Sequence, residues 1–100
     1  MEGKKYKIRA KVWRYPGMAG WHFITIPKAL SAKIKKAFGV KSRGWGSLPV
    51  TVTIGKTTWK TSIFPDKKAG AYLLPIKAEV RKKEKIVEHS TISISMTVRS

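Results

Sequence analysis

The first clear pattern in the chain is a strict alternation of polar and apolar residues from Lys5 to Val12. A period of two is typical of a β-strand that buries one face and exposes the other. The apolar residues predict the buried face, and every residue of the opposite face is basic. These predicted outward residues are Lys5, Lys7, Arg9 and Lys11.

Further strands are predicted where β-branched and aromatic residues recur between glycines and prolines. These strands cover residues 21–26, 50–54, 57–64, 72–74 and 92–98. Gly55 and Lys56 predict a tight turn that joins strands 50–54 and 57–64 into a hairpin. Pro75 is predicted to end the 72–74 strand. Trp59 and Tyr72 fall in strand patterns and are expected in the core.

Two short helices are predicted between the strands. Leu30, Ile34 and Phe38 recur at a spacing of four, which indicates an amphipathic helix with lysines on its outer face. Pro27 suits the first turn of this helix, and Gly39 is expected to end it in the left-handed conformation. The second helix covers residues 77–85 and directs Val80 inward.

The two helical segments belong to a weak internal repeat. FITIP followed by KALSAKIKK is similar to YLLP followed by IKAEVRKK, since each has a strand, a proline and a basic helix. Two such units predict a pseudo-twofold barrel. We therefore expect a mainly β fold of about six strands with two short helices, built as one domain over residues 1–100, with a disordered N-terminus at 1–4.

Charge is the most unusual feature of the composition. Lysine and arginine number 22 against five acids, which gives a net charge of +17. Local ion pairs cannot neutralise this excess, and its field attracts phosphate polymers and other anionic surfaces. The chain has no cysteine, no apolar signal segment and no apolar run long enough to span a membrane. A cytosolic protein that does not associate with membranes is the resulting expectation.

The titratable residues do not form a catalytic pattern. General acid–base and nucleophilic catalysis require groups that converge, whereas His22 and His89 lie in different predicted elements and the acids are scattered. Two histidines without cysteine or a carboxylate cluster make a poor zinc site. We expect no enzymatic activity, no metal and no cofactor.

Two segments combine aromatic and basic residues, which is typical of nucleic-acid contacts because bases stack on aromatic rings and cations follow phosphates. One is the glycine-rich loop 40–47, with Lys41, Arg43 and Trp45, and the other contains Trp13 and Arg14. Each has a structural alternative. Both tryptophans would also suit the packing of a barrel end, and the basic row of the first strand would suit any solvated surface.

The chain contains the motifs WHFITIP (21–27), GWGSLPV (44–50), WKTSIFP (59–65), GAYLLP (70–75) and VRK (80–82). Together these motifs resemble an uncharacterised bacterial and archaeal domain-of-unknown-function family of small double-split β-barrels. The resemblance runs from about Tyr6 to Val98 and implies a fold similar to that of AbrB-like swapped-hairpin proteins, which bind DNA as dimers. It implies structural roles for Pro27, Gly55, Pro75 and Arg81, with Arg81 bracing the barrel. One departure is His89-Ser90, where the family has glycine-aspartate, so the shape of that turn stays open.

The leading hypothesis from the sequence is a noncatalytic module that binds DNA or RNA through phosphate contacts, with weak sequence specificity. The alternative is a protein-interaction or small-ligand-binding barrel whose charge is incidental and whose pocket lies at the barrel mouth near Trp45. Both a monomer and a homodimer are compatible with the sequence.

Overall fold

The computed structural model describes residues 5–17, 20–39 and 46–99. The predicted N-terminal segment 1–4 and the loop residues Lys41, Arg43 and Trp45 lie outside this part of the chain. The elements are β1 (Lys5–Lys11), β2 (Trp13–Arg14), β3 (His22–Thr25), α1 (Lys28–Phe38), β4 (Leu48–Ile54), β5 (Thr57–Asp66), β6 (Ala71–Pro75), α2 (Ala78–Glu84) and β7 (Thr91–Val98).

The strands form one seven-stranded sheet in the order β1-β7-β4-β5-β6-β3-β2, curled into a half-barrel. The prediction of a mainly β fold with two helices is confirmed, while the described strands number seven rather than about six. The first predicted strand is split because Val12 leaves the ladder. Its N–H donates to the carbonyl of Ser90, and its carbonyl accepts from the N–H of His89, each at 2.8 Å.

The two halves of the chain repeat the same order of elements around the sheet. β5 pairs with β4 through its first part and with β6 through its last part. In the same way β1 pairs with β7, and β2, one residue further along the chain, pairs with β3. β3 then pairs with β6, and β4 with β7. The repeated segments seen in the sequence therefore occupy matching places in the sheet.

The core lies on the concave side of the curled sheet and is filled by the inward residues of the alternating strands. Both predicted core aromatics, Trp59 and Tyr72, are buried. The predicted alternation of the first strand is also confirmed, with Tyr6 and Ile8 buried and its basic residues exposed. The fully buried side chains include Val12, Ile24, Ile26, Ile34, Leu48, Val50, Val52, Ile63, Leu74, Ile76, Val80 and Met96.

The helix ends differ from the prediction in one respect. Pro27 is the N-cap residue of α1 and so directly precedes the first helical turn, in which it was predicted. Gly39 does not adopt the left-handed conformation, since its φ is −56° and its ψ is −34°. Its N–H still bonds to the carbonyl of Lys35, so the helical turn continues through the glycine and the prediction was wrong. At the end of α2 it is Lys85 that is left-handed, with a φ of 54°.

The turn before β7 keeps a left-handed residue although it has no glycine. His89 has a φ of 75°. The N–H of Ser90 donates to the carbonyl of Val87 at 3.0 Å, and the hydroxyl of Ser90 accepts from the N–H of Val87 at 3.2 Å. The substitution of histidine for glycine thus leaves a closed turn. Within the described ranges, no helix is long and apolar enough to cross a membrane.

Candidate functional site

The outward residues of β1, of β2 and of the position just after β2 form one row along the chain. Because side chains alternate across a strand, residues with odd numbers face away from the core, opposite buried Tyr6, Ile8 and Val12. The row begins with four exposed cations and continues into two aromatic residues. In order these are Lys5, Lys7, Arg9, Lys11, Trp13 and Tyr15.

The four cations of this row, called the basic strand face, lie beside hydroxyl side chains. Each is in register with a serine or threonine of β7. Among the described residues, Lys83 is the only lysine or arginine in an ion pair, at 3.6 Å from Glu79. No acid among the described residues forms an ion pair with the basic strand face, so its positive charge is not neutralised there. The registered pairs are Lys5 with Thr97, Lys7 with Ser95, Arg9 with Ser93 and Lys11 with Thr91.

Four aromatic side chains, Trp13, Tyr15, Trp21 and Phe23, form a second surface called the aromatic face. Phe23 is at its centre, with ring centroids 5.1 Å from Trp13, 5.9 Å from Trp21 and 6.5 Å from Tyr15. Tyr15 is 51% exposed and Trp21 is 52% exposed. Aromatic rings usually bury most of their area in a core, so two half-exposed rings on one cluster indicate a contact surface.

Hydrogen bonds and strand pairing hold the aromatic face in place. The indole Nε1 of Trp13 donates to the hydroxyl of Thr25 at 3.0 Å, which fixes the ring orientation. The N–H of Tyr15 donates to the carbonyl of Trp21 at 2.8 Å. Phe23 is in register with Trp13 on one side and with Pro75 on the other. The surface thus extends from the edge of the sheet across β3 to β6.

A cleft adjoins the aromatic face and has a volume of about 420 Å³. Trp21 and Pro75 belong to its wall, so the aromatic face and the cleft are continuous. The described residues that line it include three cations and a histidine but no acid. The lining includes Trp21, His22, Lys60, Phe64, Lys77 and Arg81.

Two polar side chains of the cleft have fixed orientations. Arg81 donates from Nε to the carbonyl of Ile76 at 3.1 Å, which links α2 to the end of β6. This is its only side-chain hydrogen bond within the described residues, so its two terminal nitrogens remain free to donate. The Nδ1 atom of His22 lies 2.5 Å from the carbonyl of Gly20. Since a carbonyl can only accept, Nδ1 carries a proton and Nε2 is left for another partner.

The titratable side chains of the described residues are mostly those of lysine and arginine. The described residues contain no group of three or more histidine or acidic residues able to hold a metal ion. Burial raises the pKa of Tyr72 above its usual value of 10.0 by desolvation. That hydroxyl is thus neutral under ordinary conditions.

A known protein-family model matches the part of the chain that contains most of these site residues. The model of the domain of unknown function DUF1905 matches residues 9–96. The chain belongs to the DUF1905 family. The DUF1905 match begins on the basic strand face, spans the aromatic face and the cleft, and ends within β7. Among curated proteins, nothing matches the chain.

The sequence-predicted site residues are partly brought together in this DUF1905 protein. Trp13 lies in the aromatic face, and Arg14 is exposed and in register with His22. Lys41, Arg43 and Trp45 lie outside the described residues. Of the predicted structural residues, Gly55 forms a left-handed turn with a φ of 56°, and Pro75 and Arg81 line the cleft.

Sequence reasoning missed the contribution of Trp21, Phe23 and Phe64 to the surface. A signal was present, because Trp21 and Phe23 alternate with residues of the buried face, Ile24 and Ile26. The aromatic residues therefore had to lie on the outward side of the strand. Lys60 and Lys77 gave no comparable signal, since nothing in their local pattern distinguishes them from other surface lysines.

Proposed function

We propose that this protein is a noncatalytic module that binds single-stranded nucleic acid. The observation that carries the proposal is the outward row that runs along the chain from β1 through β2, in which four cations are followed by residues of the aromatic face. Single-strand binding combines these two components, because a positive groove follows the backbone while bases stack on aromatic rings.

Exposed stacking surfaces favour a single strand over a duplex as the partner. The bases of a duplex are already stacked on each other, so their faces cannot reach Tyr15 or Trp21 without being unpaired. Stacking of an unpaired base on an aromatic side chain contributes about 1–3 kcal/mol. Every base has a π-face, so this contact discriminates weakly between sequences. Weak sequence specificity is part of the proposal.

The basic strand face supplies the phosphate contacts in this proposal. Successive outward residues on a strand lie about 6.6 Å apart, so its cations form an evenly spaced line. The hydroxyls of β7 beside them, including those of Ser93 and Ser95, are suitable donors to phosphate oxygens. Binding is accordingly expected to weaken as salt rises, since each neutralised phosphate releases counterions.

We further propose that the curled sheet is a double-split barrel related to the AbrB-like swapped-hairpin fold of bacterial and archaeal proteins. Two features support this. β1 and β2 lie at opposite ends of the strand order yet are separated by only Val12, so the chain itself joins the two ends of the sheet. The two halves also share one order of strands and helix. If β1 and β2 are counted as one strand, the seven strands become six, and this shared strand closes the sheet into a barrel.

The proposal is tested by fluorescence anisotropy with labelled oligonucleotides at two salt concentrations. We expect the protein to bind (dT)₁₂ and the corresponding RNA with higher affinity than a duplex of the same length, and to bind less tightly at the higher salt. No binding to any of these at low salt would overturn the proposal. Stronger binding to the duplex would overturn its single-strand component.

A pair of matched variants tests the role of the aromatic face. Trp21→Ala removes an exposed ring of that face, whereas Val87→Ala removes an exposed apolar side chain elsewhere, 64% exposed. We expect Trp21→Ala to weaken binding by about tenfold, with Val87→Ala unchanged. Circular dichroism and thermal unfolding of both variants check that each is folded. Equal affinities for the two variants would show that stacking on Trp21 does not contribute.

A further inference from the structure

The internal repeat places two clefts at equivalent positions of the fold, and the first is the cleft beside the aromatic face. The second cleft, of about 260 Å³, is lined by residues that include Ser31, Lys35, Asp66 and Tyr72. The equivalence follows from matching hydrogen bonds. The N–H of Ile26 donates to the carbonyl of Tyr72, and that of Ile76 donates to the carbonyl of His22, each at 2.9 Å.

Ser31 and Arg81 occupy the same place in the two clefts. Each is five residues after its isoleucine, and each donates a side-chain hydrogen bond of 3.1 Å to that isoleucine's carbonyl. Gly20 and Gly70, at the rims of the two clefts, are both left-handed, with φ of 63° and 64°. The two sites therefore share a backbone frame and differ in their side chains.

In the second cleft the polar side chain at the equivalent position is already fully hydrogen-bonded. The Ser31 hydroxyl donates to Ile26 and accepts from the N–H of Tyr72 at 3.0 Å, so the buried hydroxyl has partners for both roles. Asp66 adds a negative charge among the lysines of that cleft. The second cleft therefore lacks the purely positive lining that the first cleft has.

The first cleft has the opposite properties. Arg81 replaces the serine, and its Nε bond to Ile76 orients a guanidinium whose terminal nitrogens are free. Lys60 and Lys77 add charge without an acid among the described lining residues. Trp21 and Phe64 line the cleft and are exposed to solvent, at 52% and 38%. Cation and aromatic ring thus share one concave site.

We infer that the first cleft binds one nucleotide unit, an aromatic base carrying a phosphate. A planar guanidinium with two free nitrogens suits bidentate hydrogen bonding to phosphate oxygens. The aromatic wall offers a face on which a base stacks, and the free Nε2 of His22 offers a polar contact. The cleft volume is within the usual range for small-ligand sites. This inference deepens the proposed function and rests on it for the identity of the ligand.

The same chemistry is presented by a free mononucleotide and by a nucleotide within a strand, and the experiment separates them. Binding of AMP, adenosine and inorganic phosphate to the whole protein is measured by calorimetry. The strand (dT)₈ is then added as a competitor with and without a 5′-phosphate. We expect AMP to bind about tenfold more tightly than adenosine and (dT)₈ to displace it in both forms. Displacement only by the phosphorylated strand would assign the cleft to a strand end.

Variants in the two clefts provide the matched comparison. Arg81→Lys keeps the charge but removes the paired donors, and Lys77→Ala removes an exposed cation without touching the Arg81 bond. We expect each to weaken AMP binding, Arg81→Lys by about tenfold. Lys35→Ala, in the second cleft, is expected to leave the affinity unchanged. Equal losses for Lys35→Ala and Lys77→Ala would show that the effect is overall charge and would overturn the assignment.

The outcomes distinguish the failure of this inference from that of the proposed function. If (dT)₈ binds the protein while AMP does not, and Arg81→Lys leaves (dT)₈ binding unchanged, the cleft assignment is overturned and the single-strand proposal stands. If AMP binds in the cleft but neither strand does, the single-strand proposal is overturned and the cleft is a site for free nucleotides. If AMP and adenosine bind equally, the phosphate contact with Arg81 is refuted.

Discussion

The hydroxyl of Thr57 donates a hydrogen bond of 2.6 Å to Oε2 of Glu84. Thr57 is the first residue of β5 and Glu84 is the last residue of α2. The bond therefore joins the second helix to the hairpin formed by β4 and β5. The same carboxylate lies over the turn residue Gly55, so a short polar contact positions α2 on the sheet.

Thr57→Val is expected to destabilise the fold by about 1–2 kcal/mol, because a hydrogen bond to a charged, partly buried carboxylate is lost while the side-chain shape is kept. For a domain of this size each kcal/mol lowers the melting temperature by about 4–8 °C. Thermal unfolding followed by circular dichroism measures the change. Thr91→Val, at an exposed position of β7, is the control and should leave the melting temperature nearly unchanged. A melting temperature of Thr57→Val equal to that of the unchanged protein would contradict this stabilising role of the hydrogen bond.

Gly55→Ala is expected to be more damaging, for two separable reasons. The glycine has a φ of 56°, and a methyl group there would collide with the carboxylate of Glu84. The left-handed conformation costs a non-glycine residue about 1–2 kcal/mol, and the collision adds to this. The double variant Gly55→Ala with Glu84→Ala removes the collision but keeps the strain. Denaturant unfolding should therefore show a sub-additive loss, whereas full additivity would mean that the two residues do not interact.

Much of this fold was readable from local patterns in the chain. The strict alternation of residues 5–12 predicted which side of the first strand is buried, and Gly55-Lys56 marked the hairpin turn. The break at Val12 was not predictable, because it depends on backbone hydrogen bonds to Ser90 and His89 from the far end of the chain. The conformation of Gly39 was missed for a similar reason. Glycine permits a left-handed ending but does not require one.

His89 gives a prediction in the opposite direction, toward higher stability. Its φ of 75° is unfavourable for a residue with a Cβ atom, and glycine would relieve the strain at some cost in chain entropy. We expect His89→Gly to stabilise the protein by about 0.5 kcal/mol. Val87→Gly, at an exposed position without a positive φ, should destabilise it instead. Urea unfolding of both variants measures the difference, and destabilisation by His89→Gly would show that histidine itself holds the turn.

Tyr72 gives a prediction about alkaline pH. Desolvation by burial raises its pKa above 10.0 in the folded state, so the unfolded chain loses that proton first as the pH rises. The stability associated with this group is complete below pH 10 and is lost as the pH rises through the folded pKa. Tyr72→Phe removes this loss. The free energy of unfolding of the variant minus that of the unchanged protein should therefore increase from neutral pH to pH values above 10. A difference that does not change with pH would contradict the prediction.

The candidate site was less accessible to sequence reasoning than the fold. Trp13 was marked by its basic neighbour, but the surface also depends on Phe23 and Pro75, which come into register only when β2, β3 and β6 pair. The difference between the two clefts was also hidden. It depends on the equivalence of Ser31 and Arg81, two unlike residues whose common role appears only in their hydrogen bonds. Long-range pairing, and not local propensity, assembles the site.

Phosphate contacts are assigned to the basic strand face and stacking to the aromatic face, so variants of the two surfaces should differ in the salt dependence of binding. Lys7→Ala with Arg9→Ala removes two cations of the basic strand face, which should reduce the slope of log affinity against log salt by about 1.4 for single-stranded DNA. Trp21→Ala should weaken binding at every salt concentration without changing the slope. The charge-matched control is Lys67→Ala with Lys68→Ala, in the exposed turn between β5 and β6. Since both double variants lower the net charge equally, an equal change in slope would mean that the strand face is not where phosphates bind.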